Sequence, residues 1–406
     1  MDAAARPGRA RERAVRSSIP PRYSGGGGNV TRNRSLDRRV HMVRRSRSSG
    51  RSLASTVVIV LVAVSVLAAQ GAAGNDSPSH VGAVKAQQSG AAKVLAFDKT
   101  AVRPKKTYRI AYLAECTDNG YCQARLAGIR AVAKKYGFEF KLFDANFSPQ
   151  TQLGEVQDAV AEGFDGYVLA PTAGAQACTM WKDYLRPTGK PVVTLDLPMC
   201  GDPDYTPGLA ATVTMARQSF FNADVDYAFS SCKSKCEVAA IGGSVGSDLF
   251  TEWERAIAQG VAKYPNVKVV SNQPANFDPT TALQDVSDAL RANPDLSVVI
   301  SPWDDMTVGA EQAIIDAGKK PGTDVRIYST GATTVGIKRV EQGAWNETMI
   351  FLPYQESYYA AVAMIMALEG KPVDAYVNEA EMPPVTKLGT LFVTKQNAAR
   401  YHPDYS

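Results

Sequence analysis

Residues 108–143, YRIAYLAECTDNGYCQARLAGIRAVAKKYGFEFKLF, decide the fold. Tyr108–Ala114 shows partial alternation and is rich in β-formers, which predicts a strand. Leu126, Ile129 and Ala133 then recur at helical spacing, predicting a helix over 123–136 that Gly137 stops. Phe138–Phe143 returns to a strand pattern. Strand, helix and strand in so short a stretch form a right-handed crossover between parallel neighbours. The alternation continues to a strand ending at Leu195, restarts with a second series at Ala211–Met215, and closes on a long apolar helix over 353–368. The expected fold class is therefore α/β, with two doubly wound parallel sheets.

Ahead of this region lies a different kind of chain. Residues 1–52 form a basic head in which residues 1–51 hold 14 Arg and 3 acids, and 53–73 form an apolar segment that ends in small residues. This is the grammar of a signal peptide. Its apolar core, Val57–Ala69, is short for a bilayer-spanning helix, which needs about 20 residues, so cleavage is expected over a retained anchor. Met42 opens an n-region of ordinary length, and translation or processing is expected to begin near it. A linker rich in Ser, Gly, Ala and Gln fills 74–105. The protein is expected to be exported, to the periplasm or the outer face of the cytoplasmic membrane, touching membrane only through this segment.

Without the head, the net charge of +5 becomes about −6, because 31 Lys and Arg remain against 37 acids. That leaves no basic stripe for a nucleic acid. Histidine occurs only at 41, 80 and 402, so imidazole-based nucleophilic sites and most zinc sites have no ligands; neither metal nor cofactor is implied. All six cysteines lie within 116–236, and in an exported chain an even count reads as disulfides. Of the 15 possible pairings, closeness in sequence favours Cys116–Cys122 and Cys232–Cys236, which leaves Cys178 with Cys200.

In open α/β sheets ligands sit at the carboxyl ends of strands. The loops 115–121, 171–174, 196–201, 242–247, 301–305 and 330–334 should therefore line the site. Trp303 beside Asp304 and Asp305 is a combination that suits sugars, since a ring covers the C–H face while carboxylates take hydroxyl hydrogens. Asp304 also suits a plain helix cap. Tyr121, following Asn119, holds the matching place in the first loop. Gly242–Ser247 suggests a phosphate loop, but no Lys-Ser or Lys-Thr pair follows, and a tight turn with amides facing a polar ligand is the reading kept.

Gly128, VLAPT (168–172), PVVTLD (191–196), QPANFD (273–278), DDMTVGA (304–310) and LEGKPV (368–373) together resemble the ribose-type (type 1) periplasmic binding proteins, the substrate-binding components of sugar ABC transporters. The resemblance spans about 106–391. It implies two lobes joined by three crossing segments, a first of 106–209 plus 352–385 and a second of 210–351 plus 386–406, with the ligand clamped between them. It also implies that Tyr121, Asp196 and Phe277 hold ligand positions; Asn119, Trp253, Trp303 and Asp304 complete the candidate set. The chain departs from the ribose pattern at Ala173, Leu197, Trp303, Gly331 and Phe351, where polar groups are lost and aromatic area is gained. A sugar-like ligand with fewer hydroxyls or an apolar portion is therefore expected.

The leading function is a monomeric, non-enzymatic receptor that hands a sugar-like small molecule to an ABC permease. A receptor read by a membrane sensor kinase is the alternative. A carboxylate-dependent glycosidase drawing on Glu115, Asp196, Asp304 and Asp305 is a third reading, requiring two carboxyls roughly 5–9 Å apart.

Overall fold

A computed structural model describes residues 104–202, 205–215 and 217–406. The expected head, the apolar segment and nearly all of the linker lie outside the described residues. Twelve strands form two six-stranded sheets among the described residues. The first holds β1 (Arg109–Ala114), β2 (Glu139–Asp144), β3 (Gly166–Leu169), β4 (Val192–Leu195), β5 (Ala211–Thr214) and β11 (Tyr376–Asn378), in the order β11-β5-β4-β3-β1-β2. The second holds β6 (Cys236–Gly242), β7 (Val267–Pro274), β8 (Leu296–Ile300), β9 (Arg326–Gly331), β10 (Glu347–Ile350) and β12 (Phe392–Val393), in the order β12-β10-β9-β8-β6-β7. All neighbours run parallel except β10 and β12. The strand order reverses at β1/β3 and at β6/β8, and such reversals open the crevices where ligands bind.

The helices follow from local chemistry. In α1 (Gly120–Tyr136), Asn119 caps the first turn and Gly137, at φ 72°, ends the last. Helices α2 (Pro149–Glu162) and α3 (Gly174–Met180) follow in the first lobe. The second lobe carries α4 (Arg217–Ser230), α5 (Asp248–Lys263), α6 (Pro279–Ala292), α7 (Asp304–Asp316) and α8 (Thr334–Gln342). Helix α9 (Pro353–Leu368) returns to the first lobe and packs along α1 and over β3–β5, which explains its long apolar run. Gly128 permits that approach: a Cβ there would run into Ser357 Oγ and the Tyr354 carbonyl. The central strands β3 and β4 are buried along their whole length because helices cover both faces.

The two lobes repeat one turn. Ala145–Pro149 reads ANFSP and Ala275–Pro279 reads ANFDP. In both, Asn and Phe take left-handed backbone angles (φ 46° and 57°; 53° and 59°), and the next residue caps the following helix by accepting from a threonine amide. Left-handed angles cost a non-glycine residue about 1–2 kcal/mol, so the repeat marks the same strand-to-helix geometry built twice.

One expected boundary is corrected. Ala211–Thr214 does not open the second lobe; it pairs with β4 and β11 at the edge of the first sheet. The chain crosses after Thr214, again at Phe351–Leu352 between β10 and α9, and a third time between β11 and β12. After β3 the chain runs through α3 directly into a π-helical turn at Trp181–Leu185. The sulfurs pair as Cys116–Cys122, Cys178–Cys200 and Cys232–Cys236, with Cα separations of 5.8, 4.8 and 5.8 Å.

Candidate functional site

Residues that follow the carboxyl ends of strands in the two sheets meet beside the second crossing segment, and the candidate cleft lies there. Tyr121, in the first turn after β1, comes from one lobe, and Trp303, directly after β8, comes from the other. Their ring centroids lie 5.5 Å apart, edge to face. Phe351 of the second crossing lies 6.1 Å from Tyr121 and 6.0 Å from Trp303, and Phe220 stacks on Phe351 at 5.0 Å. Phe277, 37% exposed, holds the rim 6.5 Å from Trp303. Tyr121, Trp303 and Phe277 are thus brought together. Such rings supply flat apolar area with electron-rich faces for polarised C–H bonds.

Beneath Tyr121 lies a buried charge cluster centred on Arg125, one turn further along α1. Its guanidinium pairs with Asp196 (2.9 Å), Glu356 (2.8 Å) and Glu115, donates to Tyr121 Oη (2.8 Å), and lies 4.2 Å from the Tyr121 ring centroid. Burial works against the Arg125 charge, but Asp196, Glu115 and Glu356 hold it firmly protonated. Burial pushes the Glu356 carboxyl well up, Arg125 opposing and Glu379 and Asp196 adding to the shift. Burial likewise pushes Glu379 up to about 8. Asp196 sits at φ 71°, a left-handed angle at a strand end. Its amide donates to Glu356 Oε1, and its carbonyl accepts from Thr214 at the first crossing. Glu379 accepts from the Leu352 amide at the second crossing (2.9 Å). The cluster therefore ties the base of Tyr121 to two of the three hinge segments.

Across the cleft mouth, α3 begins without a side-chain cap because Ala173 precedes it. The missing acceptor comes from the opposite lobe, where Asp248 Oδ2 accepts from the Gly174 amide at 2.7 Å. This bond exists only while the lobes are together.

Three candidate residues take other places. Asp304 does not face the cleft. It is fully buried and accepts from Ser329 Oγ (2.7 Å), Thr348 Oγ1 (2.8 Å), Thr333 N (2.9 Å) and Thr333 Oγ1 (2.8 Å), tying together β9, β10 and the start of α8. Burial raises its pKa to about 6, those four donors opposing. Trp253 is also fully buried, packed edge-on against Phe221 in the core of the second lobe, so it reads core rather than ligand. Asn119 is exposed and spends its side-chain oxygen on the Cys122 amide (3.0 Å) as the cap of α1. Leu197, the residue after Asp196, is buried, and the guanidinium that pairs with Asp196 is that of Arg125 on α1. Arg125 was legible as the residue four positions after Tyr121, hence on the same helix face; Glu356, Glu379 and Phe351 carried no local signal.

Residues 110–372 match the periplasmic binding protein domain family. The chain belongs to that family. Within it, the ribose import binding protein RbsB of Salmonella typhimurium is 26% identical over 266 residues, covering 66% of this chain and 86% of that protein. The galactofuranose-binding protein YtfQ of Escherichia coli is 24% identical over 246 residues, covering 58% and 75%. Among solved structures, an ABC transporter solute binding protein from Bacillus halodurans C-125 with bound myo-inositol superposes with a TM-score of 0.63 at 17% identity, covering 74% of this chain and 98% of that one. One from Actinobacillus succinogenes 130z with bound D-allose gives 0.62 at 20%, covering 73% and 100%. These likenesses establish the type 1 periplasmic binding protein fold.

Proposed function

We propose that this protein is an extracytoplasmic receptor that clamps a sugar or sugar-like molecule between its lobes and hands it, as a monomer, to an ABC permease. The observation that carries this reading is the pair of rings, Tyr121 and Trp303, set at matching strand ends of opposite lobes 5.5 Å apart. The relatives named for ribose and galactofuranose support the ligand class. The ring-rich lining favours a ligand with fewer hydroxyls than ribose or with an apolar portion. Export through residues 1–73 places the receptor where such a molecule is met. Closure is a population shift: the ligand stabilises the lobe arrangement in which it touches both rings.

A thermal-shift panel of sugars, polyols, amino acids and aromatic glycosides tests this. A ligand that binds only the native state adds about 2.7 kcal/mol at 100 times its Kd. A sugar-like hit whose shift is lost in Trp303→Ala is expected. Stabilisation by an amino acid and by no sugar would overturn the ligand class.

A further inference from the structure

The cleft already contains a ring that none of the site residues above supplies. Tyr405 is 8% exposed, and its ring packs against both Tyr121 (centroids 5.6 Å) and Trp303 (5.9 Å), closing a triangle with the two rings assigned to a ligand, which touch each other at 5.5 Å. The segment 401–406 is fastened to both lobes. Asp404 Oδ2 accepts from the Tyr354 and Gln355 amides (2.8 and 3.2 Å), capping α9, which Leu352 leaves without a side-chain cap. On the other side the Thr334 amide at the start of α8 donates to the Tyr405 carbonyl (3.3 Å). Gly120 at the start of α1 lies directly against the Ser406 backbone, with no space for a Cβ.

The fit is imperfect in a telling way. The hydroxyls of Tyr401 and Tyr405 are both buried with no hydrogen-bond partner, and each such orphan costs about 1–3 kcal/mol. A cavity of about 320 Å³ lined by Gln355, Lys387, Arg400, His402 and Asp404 borders the same segment, so its flank is not packed solid. Good anchors at backbone amides, an aromatic ring in the binding position and unsatisfied hydroxyls describe an occupant held in place yet open to exchange for one with better polar contacts.

We propose that Tyr405 is a tethered occupant of the ligand cleft, and that segment 401–406 is a strap which a ligand must displace before the lobes close on it. This rests on the receptor reading above. The strap sets an affinity threshold, because the observed Kd is the intrinsic Kd divided by the fraction of molecules with the strap released. It also sorts ligands, since only one that satisfies the cleft better than a phenol ring gains entry.

The test is binding kinetics of a hit from the panel to the full chain and to its Tyr405→Ala and Asp404→Ala variants. Displacement predicts tighter binding in both variants, about 10-fold or more if the strap is docked nine-tenths of the time, carried by a faster association rate with the dissociation rate unchanged. If Tyr405 is instead a wall that the ligand stacks on, Tyr405→Ala weakens binding through faster dissociation, and the strap is overturned; an unchanged Kd in both variants overturns it as well. A panel in which no molecule of any class binds any of the three proteins removes the receptor reading itself, an outcome separate from either.

Discussion

Replacing Arg125 with Met removes the only cation among the described members of the cluster formed by Glu115, Asp196, Glu356 and Glu379. The guanidinium is 1% exposed and makes three ion pairs plus a hydrogen bond to Tyr121. Methionine matches the aliphatic stem but leaves buried carboxyls facing one another. Removing one partner of a buried ion pair costs about 3–5 kcal/mol, because the remaining charge is neither hydrated nor compensated. The loss should depend on pH. Without the cation each carboxyl lowers its own cost by holding a proton that the unfolded chain has released above about pH 4.5, so stability falls as pH rises, by about 1.4 kcal/mol per unit for each proton retained. Urea unfolding of the wild type and Arg125→Met at about pH 5 and about pH 8 measures the effect; the deficit should be largest at the higher pH and shrink at the lower. A deficit below about 1 kcal/mol, or one equal at both pH values, would refute the view that Arg125 is the compensating charge of this core. The same variant should also bind ligand more weakly, since Tyr121 loses the partner that orients its ring.

Glu379→Gln isolates one proton. With its carboxyl raised by burial to about 8, the native state of the wild type keeps a proton that the unfolded state loses above about 4.5, so wild-type stability should decline between those values by up to about 5 kcal/mol. That component should vanish in the Gln variant, and calorimetry across this range reads the difference. Asp248→Ala removes the bond to the Gly174 amide that joins the lobes; a hydrogen bond to a charged acceptor is worth about 1.5–3 kcal/mol, so ligand Kd should rise roughly 10- to 150-fold while lobe stability in urea stays unchanged. Trp253→Ala should do the converse, costing about 3–5 kcal/mol of stability while leaving the Kd of the protein that remains folded near the wild-type value.

Much of the architecture was legible because its signals are local. Alternation of strand and helix periods and glycine stops are set by residues within a few positions of one another, and so the crossovers, the strand-end loops and the places of Tyr121 and Trp303 on them could be read directly, whereas Phe277 was reached only through the family resemblance. Ala211–Thr214 was misassigned because its three β-formers, Thr212, Val213 and Thr214, specify a strand but not the edge it joins; pairing with β4 is decided by where the preceding loop delivers the chain. β11 and β12, of three and two residues, are too short to carry a periodic pattern.

The site divides in the same way. Ring residues at strand ends were visible as types in positions, whereas the orientation of a side chain depends on partners brought from elsewhere. Asp304 looked like a ligand acid beside Trp303, but Ser329, Thr333 and Thr348, supplied from two strands and a helix start, draw its carboxylate inward. Trp253 had the same residue type as Trp303 and the opposite fate, because its helix turns that face onto Phe221. Arg125 meets Glu356 across 231 positions of chain, and Tyr405 meets Tyr121 across a still longer span. The sequence by itself determined which elements form and which loops point toward the cleft, since those depend on neighbours a turn or a pleat away. Only the tertiary structure decided which charges are compensated and which ring packs against both Tyr121 and Trp303, because burial and contact are properties of segments that meet only after the chain has folded.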